Sequence, residues 1–210
     1  MLRELFATYL EAARVLGKYA PALPCTVRFA LWDVEEIGLL GSKEYVKAHA
    51  DELSDIRFYL NMDSAGTGSN NRDIVLNEWP DLLESYFERW REEMALEFAI
   101  GQSVHAYSDH FPFFMAGVPT GGMESAERSL AGRDYGHTQH DTVDKVELAS
   151  LREASTLAAR LALRMASEET WPVARRDEQT VLESLDSPEY REEKEFRDRL
   201  DAFYEKTRQQ

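Results

Sequence analysis

The run Phe29-Ala-Leu-Trp-Asp-Val-Glu-Glu-Ile-Gly-Leu-Leu-Gly-Ser42 constrains this chain more than any other segment. Its first part extends a stretch, Thr26 to Trp32, that is dense in apolar residues and reads as a strand. That strand delivers two adjacent carboxylates, Glu35 and Glu36, to a turn marked by Gly38 and Gly41. Backbone alternation points neighbouring side chains in different directions. One carboxylate is then free to bind a metal while its neighbour handles a proton on a water bound to that metal. An isolated acidic turn is more often simply solvated, since charged residues are mostly exposed. The residues further along the chain decide between the two readings.

Helices and strands alternate downstream. Leu2, Leu5, Phe6, Tyr9, Leu10, Ala13 and Leu16 recur at helical spacing, and Gly17, Pro21 and Pro24 close that helix. Ser42 to Ala50 reads as a helix capped by Ser42. Arg57 to Asp63 is a second strand, ending at the polar, glycine-rich loop Ser64 to Arg72, and Asp73 to Leu76 is a further short one. Pro80 to Phe98 is an amphipathic helix whose first turn suits Pro80 and Asp81. Ser108 to Gly117 is a short helix ended by glycine, Val118 to Met123 a third strand-like run, and Glu124 to Thr142 a polar loop. Glu147 to Ser167 is a long helix rich in Ala and Leu. This pattern predicts an α/β fold with one core, in a chain whose 210 residues favour a single domain.

From Glu168 onward the chain is mostly charged, broken at Trp171-Pro172 and Pro188, yet Tyr190, Phe196, Leu200, Phe203 and Tyr204 keep roughly helical intervals. Residues 1–167 therefore read as the main domain and 168–210 as a mainly helical extension packed by a narrow apolar stripe. With 24 Lys and Arg against 39 Asp and Glu, the net charge of −15 argues against a nucleic-acid or anionic-membrane partner. No apolar run approaches the roughly 18 residues a transmembrane helix needs. Charges within Met1 to Leu10 do not suit a signal peptide, which places the protein in the cytoplasm if that start is genuine. Cys25 is the only cysteine, so neither an intrachain disulfide nor a thiolate cluster is available, and it is expected as a small buried hydrophobe.

Carboxylates and imidazoles at strand ends and in loops are the usual zinc ligands, and sites in open α/β sheets form beyond the carboxyl ends of strands. Glu35, Glu36 and Asp63 occupy such ends, and His137 lies in the loop Asp134-Tyr-Gly-His-Thr-Gln-His-Asp-Thr142. In this order the segments Phe29 to Ser42 with Tyr45, Leu60-Asn-Met-Asp63, Ser108-Asp-His-Phe-Pro-Phe114 leading to Ala116-Gly-Val-Pro119, and His137-Thr-Gln-His-Asp-Thr142 resemble the zinc-dependent aminopeptidases of peptidase family M28. The resemblance runs from about Leu10 to about Met165. It implies a mixed, mostly parallel central sheet flanked by helices, as in zinc exopeptidases, and two zinc ions bridged by an aspartate and a water. By that likeness Glu35 is the general base, Glu36 and His137 ligate one zinc, and Asp63 ligates the other. Asp109 and Asp141 are implied as hydrogen-bond acceptors that orient ligands. His105 stands where some members carry an oxyanion-stabilising tyrosine. His110 and His140 match no family ligand, and His49 is expected as an exposed helix residue. The implied substrate is a peptide.

The resemblance also exposes departures. Two of the five expected ligands, a histidine in a His-x-Asp strand and the bridging aspartate, have no counterpart, and counting back along the Leu10 to Leu16 helix puts the aspartate at about Met1. The chain thus resembles an N-terminally truncated catalytic domain. Since catalytic zinc normally wants three protein ligands, weak or absent metal binding and little peptidase activity are expected of the chain alone unless a partner supplies the missing groups. An unpaired sheet edge or the C-terminal helices offer a route to homo-oligomers. Three readings follow: a zinc-dependent exopeptidase acting at peptide N-termini, a non-catalytic binding or assembly module on the same fold, and, ranked last, a zinc acyltransferase that cyclises N-terminal glutamine.

Overall fold

In the computed structural model, which describes residues 2–63, 73–79, 81–124, 138–140, 142–171 and 173–208, the short apolar runs pair into one four-stranded sheet. Its strands are β1 (Tyr59–Asn61), β2 (Asp73–Leu76), β3 (Ile100–Gln102) and β4 (Thr120–Glu124), in the order β1-β4-β2-β3. β1 runs parallel to β4 and β2 parallel to β3, whereas β2 and β4 are antiparallel. The sheet is therefore mixed and mostly parallel, and helices flank it. They are α1 (Leu2–Leu16), α2 (Leu40–Ala48), α3 (Asp81–Met94), α4 (Phe111–Met115), α5 (Leu148–Ser167), α6 (Glu178–Ser184) and α7 (Arg191–Arg208).

Alternation along β2 buries Ile74 and Leu76. Together with Met123 of β4 they pack on Phe87 and Trp90 of α3 and Leu157 and Leu161 of α5. Side chains four apart on a helix share a face, so α5 presents Leu157 and Leu161 as one stripe. A second cluster joins Leu39, Val104, Phe111 and Phe114 to Val181, Leu185 and Tyr190, with Phe196 and Leu200 packed against it. Residues of the charged C-terminal segment thus share a core with the loops before α2 and α4. Asp177 caps α6 by accepting a hydrogen bond from the Thr180 amide at 2.8 Å.

Several expectations change. Thr26 to Trp32 is extended but forms no strand, and Phe29 and Leu31 are 40% and 55% exposed. A strand exists through its ladder of backbone bonds, and among the described residues no neighbour lies in register to provide one. Ser42 is not a cap: α2 begins at Leu40, and Ser42 is fully buried within its first turn. β3 has no clear signature in the sequence, being three residues centred on Gly101. Cys25 is half-buried rather than buried. Among the described residues no helix is long and apolar enough to cross a membrane.

Candidate active site

Glu35 and Glu36 stand on a single 3-10 turn, Glu35–Ile37, between the extended segment and α2. The turn is tight enough that Val34, Gly38 and Leu39 all take positive φ, at 62°, 121° and 59°. For Val and Leu this is the costly left-handed region, tolerated only where surrounding contacts over-determine it. Those contacts are visible. The Asp33 carboxylate accepts the Val34 amide at 2.9 Å, and the Leu39 and Gly41 amides donate to the carbonyls of Glu35 and Asp33 at 3.0 and 3.2 Å. A Cβ on Gly41 would lie 2.6 Å from the Asp33 carbonyl oxygen, so only glycine fits there. Leu39 is buried in the second core cluster.

Asp63 follows β1 and is tied to the loop ahead of α4. The Ser108 hydroxyl donates to its carboxylate at 2.8 Å and accepts from the Asn61 side-chain amide at 2.9 Å. The next residue, Asp109, accepts from the Ser42 hydroxyl at 2.6 Å. Two serines therefore link three separate segments: the strand end, the loop before α4 and the start of α2.

These carboxylates lie close enough for their charges to act on one another. Burial pushes the Glu35 carboxyl up to about 7, and repulsion from Asp63, Glu36 and Asp109 adds to it. Burial likewise raises Asp109 to about 6, with the Ser42 hydrogen bond opposing and Asp63 reinforcing the shift. Tyr9 of α1 lies close by. Its phenol is pushed up by burial and then by Asp63 and Asp109, while the Met62 backbone hydrogen-bonds to it. Tyr59, whose phenol is also raised by burial and by these groups, accepts a hydrogen bond from the Trp32 indole at 2.9 Å.

The candidates divide accordingly. Glu35, Glu36, Asp63 and Asp109 come together. His137 and Asp141 lie outside the described residues. The ring of His105 packs edge-on against His110 at 4.4 Å, and His110 is fully buried and kept neutral by burial. His49 is half-buried, stacked on Tyr45 at 4.0 Å, rather than exposed. Ser42, Asn61, Ser108 and Tyr9 were not among the candidates. The first three sit inside the diagnostic segments, where a hydroxyl or amide next to a carboxylate is a readable partner; Tyr9 is hidden in the apolar stripe of α1.

This donor set has the chemistry of a divalent-cation site, because a cation would relieve the repulsion among the carboxylates. Among the described residues no three of His, Cys, Asp or Glu are arranged to hold one. A complete zinc ligand set therefore needs a donor from beyond them.

Known proteins sharpen the comparison. The leupeptin-inactivating enzyme 1 of Streptomyces exfoliatus is 33% identical over 133 residues, covering 63% of this chain and 28% of that protein. An aminopeptidase of Pseudomonas aeruginosa is 31% identical over 168 residues, covering 67% and 30%. The chain thus spans about a third of the length of the curated relatives it matches. In fold it is similar to a zinc aminopeptidase from Bacillus subtilis, with a TM-score of 0.59 at 23% identity over 77% of this chain and 40% of that one. The profile of Peptidase family M28 matches residues 6–162, and the chain belongs to that family.

Proposed function

We propose that this chain carries the proton-handling half of an aminopeptidase-type site, hydrolysing the peptide bond that follows an N-terminal residue. The observation that carries this reading is the convergence of Glu35, Asp63 and Asp109 from three segments beyond the carboxyl end of β1, in a member of family M28. Glu35 is the general base. It is held on a tight turn, and in the metal-free chain burial and the neighbouring carboxylates raise it to about 7. It therefore binds a proton more readily than a solvated glutamate, as a group that takes a proton and returns it to the leaving amine must. Glu36 and His137 would hold one zinc ion and Asp63 the other; the metal, when bound, would supply Lewis-acid polarisation of the scissile carbonyl and acidify a water. Ser108 holds the Asp63 carboxylate in one orientation, and Ser42 does the same for Asp109.

A second reading is favoured by one observation: the described residues do not complete a ligand set. In that reading the fold serves as a non-catalytic binding module. Hydrolysis of an aminoacyl-nitroanilide in zinc-supplemented buffer separates the two. The first predicts slow turnover that Glu35→Gln reduces by at least about a hundredfold. Absence of turnover under all zinc concentrations supports the second.

A further inference from the structure

The family match ends at residue 162, yet the charged segment beyond it reaches the site. Along α7, Phe196, Leu200 and Tyr204 are spaced four apart and so share one face. At one end of that face, the Phe196 ring packs on Tyr107 at 4.8 Å and near Phe111 at 6.5 Å, the residues that bracket Ser108, Asp109 and His110. At the other end, the Tyr204 hydroxyl donates to the Gly38 carbonyl at 2.7 Å. Between them lies Leu200, whose Cδ1 is 3.0 Å from where a Cβ on Gly38 would stand. Lys43 of α2 closes the contact, its ammonium 3.6 Å from the centroid of the Tyr204 ring and 2.7 Å from the Asp201 carboxylate. One helix thus touches both the turn that carries Glu35 and the loop that carries Asp109.

The geometry points to α7 as a built-in brace that sets the spacing between these two loops, with Tyr204 and Phe196 as its positioning residues. Two L-residues of the Glu35 turn sit in the left-handed region, and α7 adds an anchor from outside to the hydrogen bonds the turn makes within itself. Tyr204 grips it at the one carbonyl, that of Gly38, where the chain leaves the turn. The brace rests on the reading of Glu35 as base only for its consequence for hydrolysis; the contact itself is independent of it.

Amide hydrogen exchange on the full chain tests the brace without requiring turnover. The reporters are the amides of Gly38, Leu39, Leu40 and Gly41, all of which donate within the turn. Tyr204→Phe removes only the hydroxyl and should speed their exchange about tenfold, the loss expected for one hydrogen bond. Exchange at Ile74, which donates to Ala99 beside the sheet, should stay unchanged. Unchanged exchange at Gly38 to Gly41, or an equal acceleration at Ile74, would overturn the inference. Lys43→Met, which removes the cation from the Tyr204 ring, should accelerate the same four amides and serves if Tyr204→Phe does not fold. Where zinc-supported hydrolysis is measurable, Tyr204→Phe should lower kcat and leave KM unchanged. A chain with no hydrolysis but accelerated turn exchange refutes the proposed function and keeps the brace.

Discussion

Glu35 holds its proton more tightly than a solvated glutamate because it is half-buried and faces Asp63, Glu36 and Asp109. The sign of the consequence follows from linkage. With the folded value near 7 and the ordinary value at 4.5, the folded state binds the proton better between those limits. The carboxylate therefore costs stability above about pH 7 and nothing below about pH 4.5. Glu35→Gln should stabilise the metal-free chain at pH 8 by about 1–2 kcal/mol, the full shift being discounted for the exposed half of the side chain. The advantage should fade as pH falls to 4.5, which urea titrations at several pH values would show; a constant difference would contradict it. Ser108 gives a second test at this scale. Ser108→Ala strips the acceptor from the buried Asn61 amide and the donor from Asp63. A loss of about 1–3 kcal/mol is expected, read as a lower urea midpoint.

The Glu35 turn behaves as one element whose strain and packing make opposite predictions for neighbouring positions. Gly41→Ala forces a Cβ against the Asp33 carbonyl and should destabilise by about 1–3 kcal/mol. Val34→Gly should do the reverse. Val34 is 38% exposed at φ 62°, so the substitution gives up little burial and removes a left-handed β-branched residue. A gain of about 0.5–1 kcal/mol is expected in thermal unfolding, against the usual penalty for glycine. The elements also show where the sequence is legible. β2 and α5 announce themselves because their periodicities match one buried face each, Ile74 with Leu76 and Leu157 with Leu161. Thr26 to Trp32 has the composition of a strand, but strand formation depends on a partner, which local composition does not encode. Ser42 reads as a cap because caps and buried hydroxyls share a residue type; its actual partner, Asp109, is 67 positions away. The α7 stripe of Phe196, Leu200 and Tyr204 is visible as a stripe, but its target, Gly38, becomes visible only through the fold.

At the scale of the whole molecule, the α/β class follows from alternating apolar runs and amphipathic helices, while the convergence of Glu35, Asp63 and Asp109 follows from topology. The sheet order brings the end of β1 beside β4, and the loop ahead of α4 carries Asp109 there, its neighbour Ser108 hydrogen-bonded to Asp63. A net charge of −15 adds self-repulsion that counter-ions screen. Raising salt from about 0.01 M to about 0.15 M, where the screening length falls from about 30 to about 8 Å, should therefore raise the melting temperature. A melting temperature indifferent to salt would show that the charges are already compensated locally. The most direct test of function is the rate of leucyl-nitroanilide hydrolysis with saturating zinc, compared between the native chain and Glu35→Gln with bound zinc measured in both. Slow hydrolysis by the native chain, lowered by at least about a hundredfold in Glu35→Gln at unchanged zinc content, is the predicted result. Equal rates in the two proteins, or none in either, would contradict a catalytic role for Glu35.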